Sequence, residues 1–158
     1  MSPTRLLLVE DDEALAALLE EYLQEAGYDV ETHLRGDTAL HALQQDDYDL
    51  VLSDLVLPGA DGMSILRVAS GQPHRTLVIL MTGYSGIQDA LEAVQKGAYD
   101  FVSKPFQLPE IHVRLNNAAR YQSLLRKWLT ASTEAAIPIA RMPGQNALKA
   151  YDGYRDSL

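Results

Sequence analysis

The chain has 158 residues, of which 47% are hydrophobic, so it is long enough to bury the core of one ordinary domain with some surplus. Residues 1–108 carry 6 Lys/Arg against 18 Asp/Glu and residues 109–158 carry 7 against 4, and this acidic body argues against direct binding of DNA or RNA by this segment. The absence of cysteine excludes disulfides and thiolate catalysis and fits a cytoplasmic location, and because neither a signal peptide nor an apolar span of about 18 residues is present, we expect no membrane association.

Strand-like and helix-like segments alternate five times along the chain. The predicted strands are residues 6–9, 29–33, 50–53, 77–81 and 100–103. The predicted helices are residues 13–26, 37–45, 63–69, 87–95 and a long last helix from 109 to about 134. The first helix should bury one stripe of side chains, made of Leu15, Leu18, Leu19, Tyr22, Leu23 and Ala26.

Repeated βα units with short connections predict an α/β fold, a parallel sheet with helices on both faces. Right-handed crossovers favour a flavodoxin-like sheet of five strands in the order 2-1-3-4-5. In that order strands 1 and 3 are neighbours, and ligands of such sheets bind in the crevice at the carboxyl ends of the strands.

Polar groups stand at four of these carboxyl ends. Glu10 and Asp11 follow the first strand, Asp54 the third, Thr82 the fourth and Lys104 the fifth. Three carboxylates in one crevice repel each other unless they protonate or a cation neutralises them. Mg²⁺ suits them because it prefers oxygen ligands and often binds carboxylates together with a phosphate. With a lysine and a hydroxyl, these groups are the parts that phosphoryl transfer requires.

The motifs resemble, in order and spacing, the receiver domain of two-component response regulators, a CheY-like fold, over about seven-tenths of the chain. This resemblance implies that Asp54 accepts a phosphoryl group from a sensor histidine kinase or a phosphotransfer protein in a Mg²⁺-dependent reaction. It implies that Asp11 binds the metal directly, that Glu10 acts through water, and that Val56 contributes its backbone carbonyl. It also implies a signalling switch with slow autodephosphorylation rather than a turnover enzyme.

The same resemblance implies how the switch works. Thr82 matches the switch hydroxyl, Phe101 the switch aromatic and Lys104 the lysine that contacts the phosphate. We expect phosphorylation to draw Thr82 towards the phosphate, to turn Phe101 inward, and to change the partner affinity of the face formed by the fourth helix, fifth strand and fifth helix. The Lys104–Pro105 peptide bond is expected to be cis.

Four positions depart from the commonest family pattern. Glu10 stands where Asp is usual, and Phe101 lacks the hydroxyl of the more frequent Tyr. Val56 and Tyr84 add bulk beside the site, and we hypothesise that they hinder the attacking water and lengthen the life of the phosphorylated state.

Simpler interpretations exist for each residue taken singly. Asp11 and Asp12 both suit a helix N-terminus, and we expect Asp12 to be the cap and Asp11 the ligand. Asp54 alone is an ordinary turn residue. An aspartate-nucleophile phosphatase would need a second Asp where Val56 stands, and a non-phosphorylated interaction module would not need the intact acids. His33, His41, His74 and His112 show no ligand spacing.

The last helix is longer than the sheet requires. Residues at alternating steps of four and three along it, apolar except for Gln122, are typical of a coiled-coil seam and predict a homodimer: Ile111, Leu115, Ala118, Gln122, Leu125 and Leu129. The alternative is that its first three turns pack on the domain. We predict a receiver domain over residues 1–120 and an extension over 121–158 that ends in a linker or flexible tail, either in a single-domain regulator or in the receiver fragment of a larger regulator with an output domain.

Overall fold

A computed structural model describes residues 3–73, 75–83 and 87–135, without the side chains of residues 87 and 132–135. Its strands are β1 (Arg5–Val9), β2 (Asp29–His33), β3 (Leu50–Asp54), β4 (Leu77–Thr82) and β5 (Asp100–Ser103). Its helices are α1 (Glu13–Glu25), α2 (Gly36–Gln45), α3 (Gly62–Ser70), α4 (Ile87–Gln95) and α5 (Leu108–Ala135). All strand pairs are parallel and the order is β2-β1-β3-β4-β5, which confirms the predicted fold.

The sheet separates two apolar clusters. On one face, alternate residues of the strands, such as Leu7 and Val51, pack with α2, α3 and α4. On the other face their neighbours Leu8 and Leu52 pack with α1 and α5. The central strands are buried on both sides, which explains why they read as continuous apolar runs rather than as alternating patterns.

Two strands extend one residue beyond their predicted ends. β3 includes Asp54 and β4 includes Thr82, so both residues are held in the sheet rather than in the loops that follow it. Asp12 is the N-cap of α1, as predicted, and its carboxylate accepts a hydrogen bond from the Leu15 N–H. The predicted stripe of α1 was wrong at Leu18, which is 49% exposed, and at Ala26, which is exposed just after the helix ends, while Leu19 and Leu23 are buried.

The last helix belongs partly to the core. Ile111, Leu115 and Ala118 are fully buried in the cluster beneath α1, so the first half of the predicted seam packs on the sheet. The chain divides into two units, residues 1–119 and 120–158. Two parts of the sequence analysis concern residues outside those described: the predicted linker or tail after residue 136, and His74. Within the described part, no helix combines the length and apolar character needed to cross a membrane.

Candidate functional site

The carboxyl ends of β1 and β3 bring three acids together because these parallel strands are neighbours. Glu10 and Asp11 follow β1 directly, and Asp54 is the last residue of β3. Oxygen atoms of the three carboxylates lie within 4.8 Å of one another. Glu10 is fully buried, Asp54 is 9% exposed and Asp11 is open to solvent. The sequence-predicted acidic group is therefore a real cluster in space.

Lys104 neutralises two of these acids. Its Nζ lies 2.5 Å from Glu10 Oε1 and 2.8 Å from Asp54 Oδ2. The backbone N–H of Lys104 donates to the Thr82 carbonyl at 2.7 Å, which ties the residue to the end of β4. The Lys104–Pro105 peptide bond is cis, as the resemblance implied. The site thus gathers side chains from the ends of β1, β3 and β5.

Burial and hydrogen bonding shift the pKa values of Glu10 and Lys104 in opposite directions. Burial raises the pKa of Glu10, and the nearby Asp54 charge adds to this, although hydrogen bonds from Lys104 and from the Asp12 N–H oppose the shift. Burial disfavours the Lys104 ammonium, but hydrogen bonds to Asp54 and Glu10 outweigh it and raise the Lys104 pKa above its usual value. The lysine is therefore held charged between the acids.

The two predicted switch residues occupy neighbouring strands. Thr82 is fully buried, and its Oγ1 is a buried hydroxyl without a hydrogen-bond partner in the described part of the protein. Phe101 pairs with Leu80 across β4 and β5, and its ring is half-buried against the α2–α3–α4 face of the sheet. An unpaired buried hydroxyl costs free energy and is an available donor for an incoming anion.

The loop after Asp54 begins close to the carboxylate. The Val56 N–H donates to Asp54 Oδ1 at 3.4 Å, while the Val56 side chain is 77% exposed. Gly62, at the start of α3, closes the loop by donating its N–H to the Leu55 carbonyl at 2.8 Å. Tyr84, the other predicted flanking residue, lies outside the described residues.

Several close approaches around this loop were not predicted from the sequence. A methyl group added at Gly62 would lie 2.6 Å from the Asp54 carbonyl oxygen, and one at Gly36 would lie 1.7 Å from the Ala60 carbonyl oxygen. Glycine at the start of a helix is only a weak local signal. Only the fold shows which backbone passes beside each glycine.

The donors fit a magnesium ion. The three convergent carboxylates are hard oxygen ligands, and one of them, Asp11, is open to solvent, as suits an ion that keeps several waters. The cluster itself offers only oxygen ligands, because all three of its members are carboxylates. The chemistry of the set therefore matches the cofactor predicted from the sequence.

Comparison with known proteins decides the family. The sequence model of one protein family, the response regulator receiver domain, matches residues 6–116 of this chain. The chain belongs to the response regulator receiver family. It is 37% identical over 120 residues to the uncharacterized transcriptional regulatory protein YkoG of Bacillus subtilis, covering 76% of this chain and 53% of that protein. It is 34% identical over 123 residues to the regulatory protein AtoC of Escherichia coli, covering 78% of this chain and 27% of AtoC.

A solved receiver confirms the architecture. The crystal structure of a response regulator receiver domain protein from Clostridium thermocellum matches with a TM-score of 0.72 and 26% identity, over 77% of this chain and 98% of that one. The chain spans about half the length, or less, of the curated relatives it matches. As a receiver, it is a phosphorylation-dependent switch of a two-component system, of the family that binds Mg²⁺ at an acidic pocket and accepts phosphoryl groups.

Proposed function

We propose that Asp54 is the phosphoacceptor of this receiver. A carboxylate oxygen of Asp54 attacks the phosphorus of a kinase or phosphotransfer phosphohistidine, so that an O–P bond forms while the P–N bond breaks and its electron pair stays on the imidazole nitrogen. The observation that carries this proposal is the Lys104 ammonium 2.8 Å from Asp54 Oδ2, since a cation fixed beside the nucleophile can also contact a phosphoryl oxygen.

The metal roles follow from the same cluster. We assign Asp11, Asp54 and the Val56 carbonyl as direct Mg²⁺ ligands, with Glu10 acting through water because Lys104 and the Asp12 N–H already occupy its carboxylate. When bound, Mg²⁺ neutralises charge on the phosphoryl oxygens. Asp54 remains the nucleophile, Lys104 steadies the phosphoryl group, and Val56 presents a backbone N–H within reach of the acceptor.

The switch is proposed to start at Thr82. Its unpartnered hydroxyl gains an acceptor only when a phosphoryl group is present, so its contact differs between the two states. Movement of Thr82 would leave room beside β4 for the half-buried Phe101 ring, which changes the face formed by α4, β5 and α5. Lys104 contributes the second differential contact, since it exchanges a carboxylate for a phosphoryl oxygen.

Acetyl phosphate tests the acceptor directly. In the presence of Mg²⁺, the intact chain should gain the mass of one phosphoryl group, and the Asp54→Asn variant should gain none. Asp89→Asn, at an exposed carboxylate on α4, is the matched control and should be modified like the parent. An unmodified parent chain near neutral pH would favour the alternative, a non-phosphorylated interaction module.

The remaining assignments concern the surroundings of the receiver. We propose a receiver over residues 1–120, an extension over 121–158, a cytoplasmic location, a histidine kinase or phosphotransfer partner, and no direct nucleic-acid binding by this segment. The relatives are named transcriptional regulatory proteins and are longer than this chain. This supports a receiver that serves an output domain, in the same chain or in a partner.

A homodimer through α5 is also proposed. The support is the pair of seam residues Leu125 and Leu129, which are partly exposed and lie one helical turn apart, with Leu124 beside them 67% exposed. Light scattering with and without beryllofluoride, a phosphate mimic, tests it. Leu125→Glu should shift the protein to monomer and the exposed control Ser123→Glu should not; a monomer under both conditions refutes the dimer.

A further inference from the structure

The first turn of α2 contacts the loop that follows Asp54, although α2 contributes no residue to the acidic cluster. The Gly36 N–H donates to the Pro58 carbonyl at 2.9 Å, and a methyl group at Gly36 would overlap the Ala60 carbonyl. The Asp37 carboxylate packs so closely on Gly59 that a methyl group there would lie 2.5 Å from its Cγ. We call Gly36 and Asp37 the α2 clamp.

Both ends of the short segment that contains Val56 are fixed. On one side, the Leu55 N–H donates to the Met81 carbonyl at 2.9 Å and the Leu55 carbonyl accepts from Gly62. On the other side, Pro58 is held by Gly36. Only Val56 and Leu57 lie between these anchors, so the backbone of Val56 has little freedom even though its side chain is exposed.

The clamp itself is held in place by a small polar network. Arg35 donates from Nε and from a terminal nitrogen to the two oxygens of Asp37, at 3.0 and 3.2 Å, and the Thr38 N–H donates to Asp37 Oδ1 at 2.9 Å. Gly59 adopts φ +85°, a conformation that favours glycine, so the loop turns sharply where Asp37 meets it. A side chain at either glycine would force the two segments apart.

We propose that Gly36 and Asp37 are positioning residues for the metal site, because they hold the Pro58–Ala60 backbone and thereby aim the Val56 carbonyl. This inference rests on the proposed function, in which that carbonyl is a Mg²⁺ ligand. The clamp touches neither metal nor phosphoryl group. Loss of the clamp releases one end of the Val56–Leu57 segment, and metal affinity falls although every carboxylate stays in place.

Isothermal titration of Mg²⁺ into the unphosphorylated chain of 158 residues tests the proposal. Gly36→Ala should raise the Mg²⁺ Kd by roughly tenfold, the order seen when residues that support metal ligands are changed. Gly71→Ala is the matched control and should leave the Kd unchanged, because its added methyl group meets nothing closer than 3.5 Å. Amide hydrogen exchange of residues 56–60 in metal-free protein should accelerate in Gly36→Ala only.

A second pair of variants separates positioning from folding. Asp37→Ala removes the carboxylate that packs on Gly59 and should weaken Mg²⁺ binding severalfold. Asp37→Asn keeps the shape and one acceptor oxygen, which can still receive the Arg35 Nε–H and Thr38 N–H, and should restore binding. A wild-type Kd with unchanged exchange in folded Gly36→Ala overturns the proposal. If Gly36→Ala does not fold, a wild-type Kd in Asp37→Ala overturns it instead.

Failure of the proposed metal site would look different. Absence of Mg²⁺ binding by the parent chain, or unchanged binding by Asp11→Asn, would refute that site itself. Binding that is lost in Asp11→Asn but retained in Gly36→Ala and Asp37→Ala would refute only the role of the α2 clamp.

Discussion

Lys104 and Asp54 form an ion pair of 2.8 Å between strands β5 and β3, which are separated in the sheet by the whole of β4. The same ammonium also contacts Glu10, the residue that follows β1, so one side chain spans the mouth of the crevice. In the absence of metal, this cation offsets the repulsion among the acids. Any cation or phosphoryl group that enters must therefore share its carboxylates or draw it away.

Lys104→Met separates these two roles. We expect Mg²⁺ to bind at least as tightly as in the parent, because the ammonium no longer competes for Glu10 and Asp54. Phosphoryl uptake from acetyl phosphate should fall by roughly a hundredfold, the order found when a preorganised charged donor is lost. Mg²⁺ titration and a time course of phosphorylated mass measure the two effects, with Lys104→Arg as the charge-preserving control. Weaker Mg²⁺ binding by Lys104→Met would contradict this account.

Thr82→Val should stabilise the resting protein and block the switch. Replacing a buried, unpaired hydroxyl by a methyl group of similar shape removes a desolvation cost, so the free energy of unfolding in urea should rise by about 1 kcal/mol. The conformational change that beryllofluoride induces in the parent, followed by near-ultraviolet circular dichroism, should be absent in Thr82→Val. Thr82→Ser keeps the hydroxyl and should retain the response. A less stable Thr82→Val protein would show that the hydroxyl is paired in the resting state.

Val56→Ala tests the hypothesis that bulk beside the acceptor protects the phosphoryl group. We expect faster loss of phosphate from the modified protein, because a smaller side chain admits the attacking water. The free energy of unfolding should not change, since the side chain is 77% exposed. Decay of the phosphorylated mass gives the rate, and Val113→Ala, at an exposed valine of α5, is the control. Equal lifetimes in Val56→Ala and the parent would end the hypothesis, and Tyr84→Ala tests its second half.

The hydrogen bonds of Glu31 should make the free energy of unfolding depend on pH. Hydrogen bonds from Tyr48, at 2.5 Å, and from His33 lower the pKa of the Glu31 carboxyl. Because the folded pKa lies below the unfolded one, this contribution is present at neutral pH and is lost as pH falls through the lowered pKa. Tyr48→Phe should therefore cost about 1 kcal/mol of unfolding free energy at pH 7, a modest value for a partly solvated pair, and less near pH 3.

Urea unfolding of four proteins checks this: the parent, Tyr48→Phe, Glu31→Gln and the double variant. In the Glu31→Gln background, the cost of Tyr48→Phe should no longer depend on pH. The contact of Arg5 over the ring of residue 48 persists in phenylalanine and so cancels from the comparison. A cost of Tyr48→Phe that is the same at both pH values in the parent background would refute the assignment.

The fold was predictable because its signals are local. Apolar runs such as that of β3, the N-cap Asp12 and Gly27, with φ +103° after α1, each mark an element by its own chemistry. The convergence of Asp54 and Lys104 then follows from the parallel sheet, in which all carboxyl ends share one edge. The assigned roles of these residues in phosphoryl transfer stay predictions.

The features that escaped prediction depend on distances between segments far apart in the chain. Leu18 shares the helical spacing of the buried stripe on α1, but the width of the face that the sheet covers decides its exposure. The overlap of a methyl group at Gly36 with the Ala60 carbonyl arises where two segments distant in the chain meet. The Thr82 hydroxyl is unpaired because no acceptor or donor among the described residues lies in position to hydrogen-bond with it. The local periodicity of the sequence predicts neither of these two features.

The backbone-to-backbone approach of Gly62 to Asp54 has a practical consequence for genetic screens. A saturation library scored only for signalling output would rank residue 62 beside the acids, since any replacement pushes on the peptide that carries the nucleophile. Sensitivity in such a library would then measure crowding as well as chemistry. Parallel scoring of protein abundance would separate these two kinds of position, with Gly62 failing in both assays and Asp11 in signalling alone.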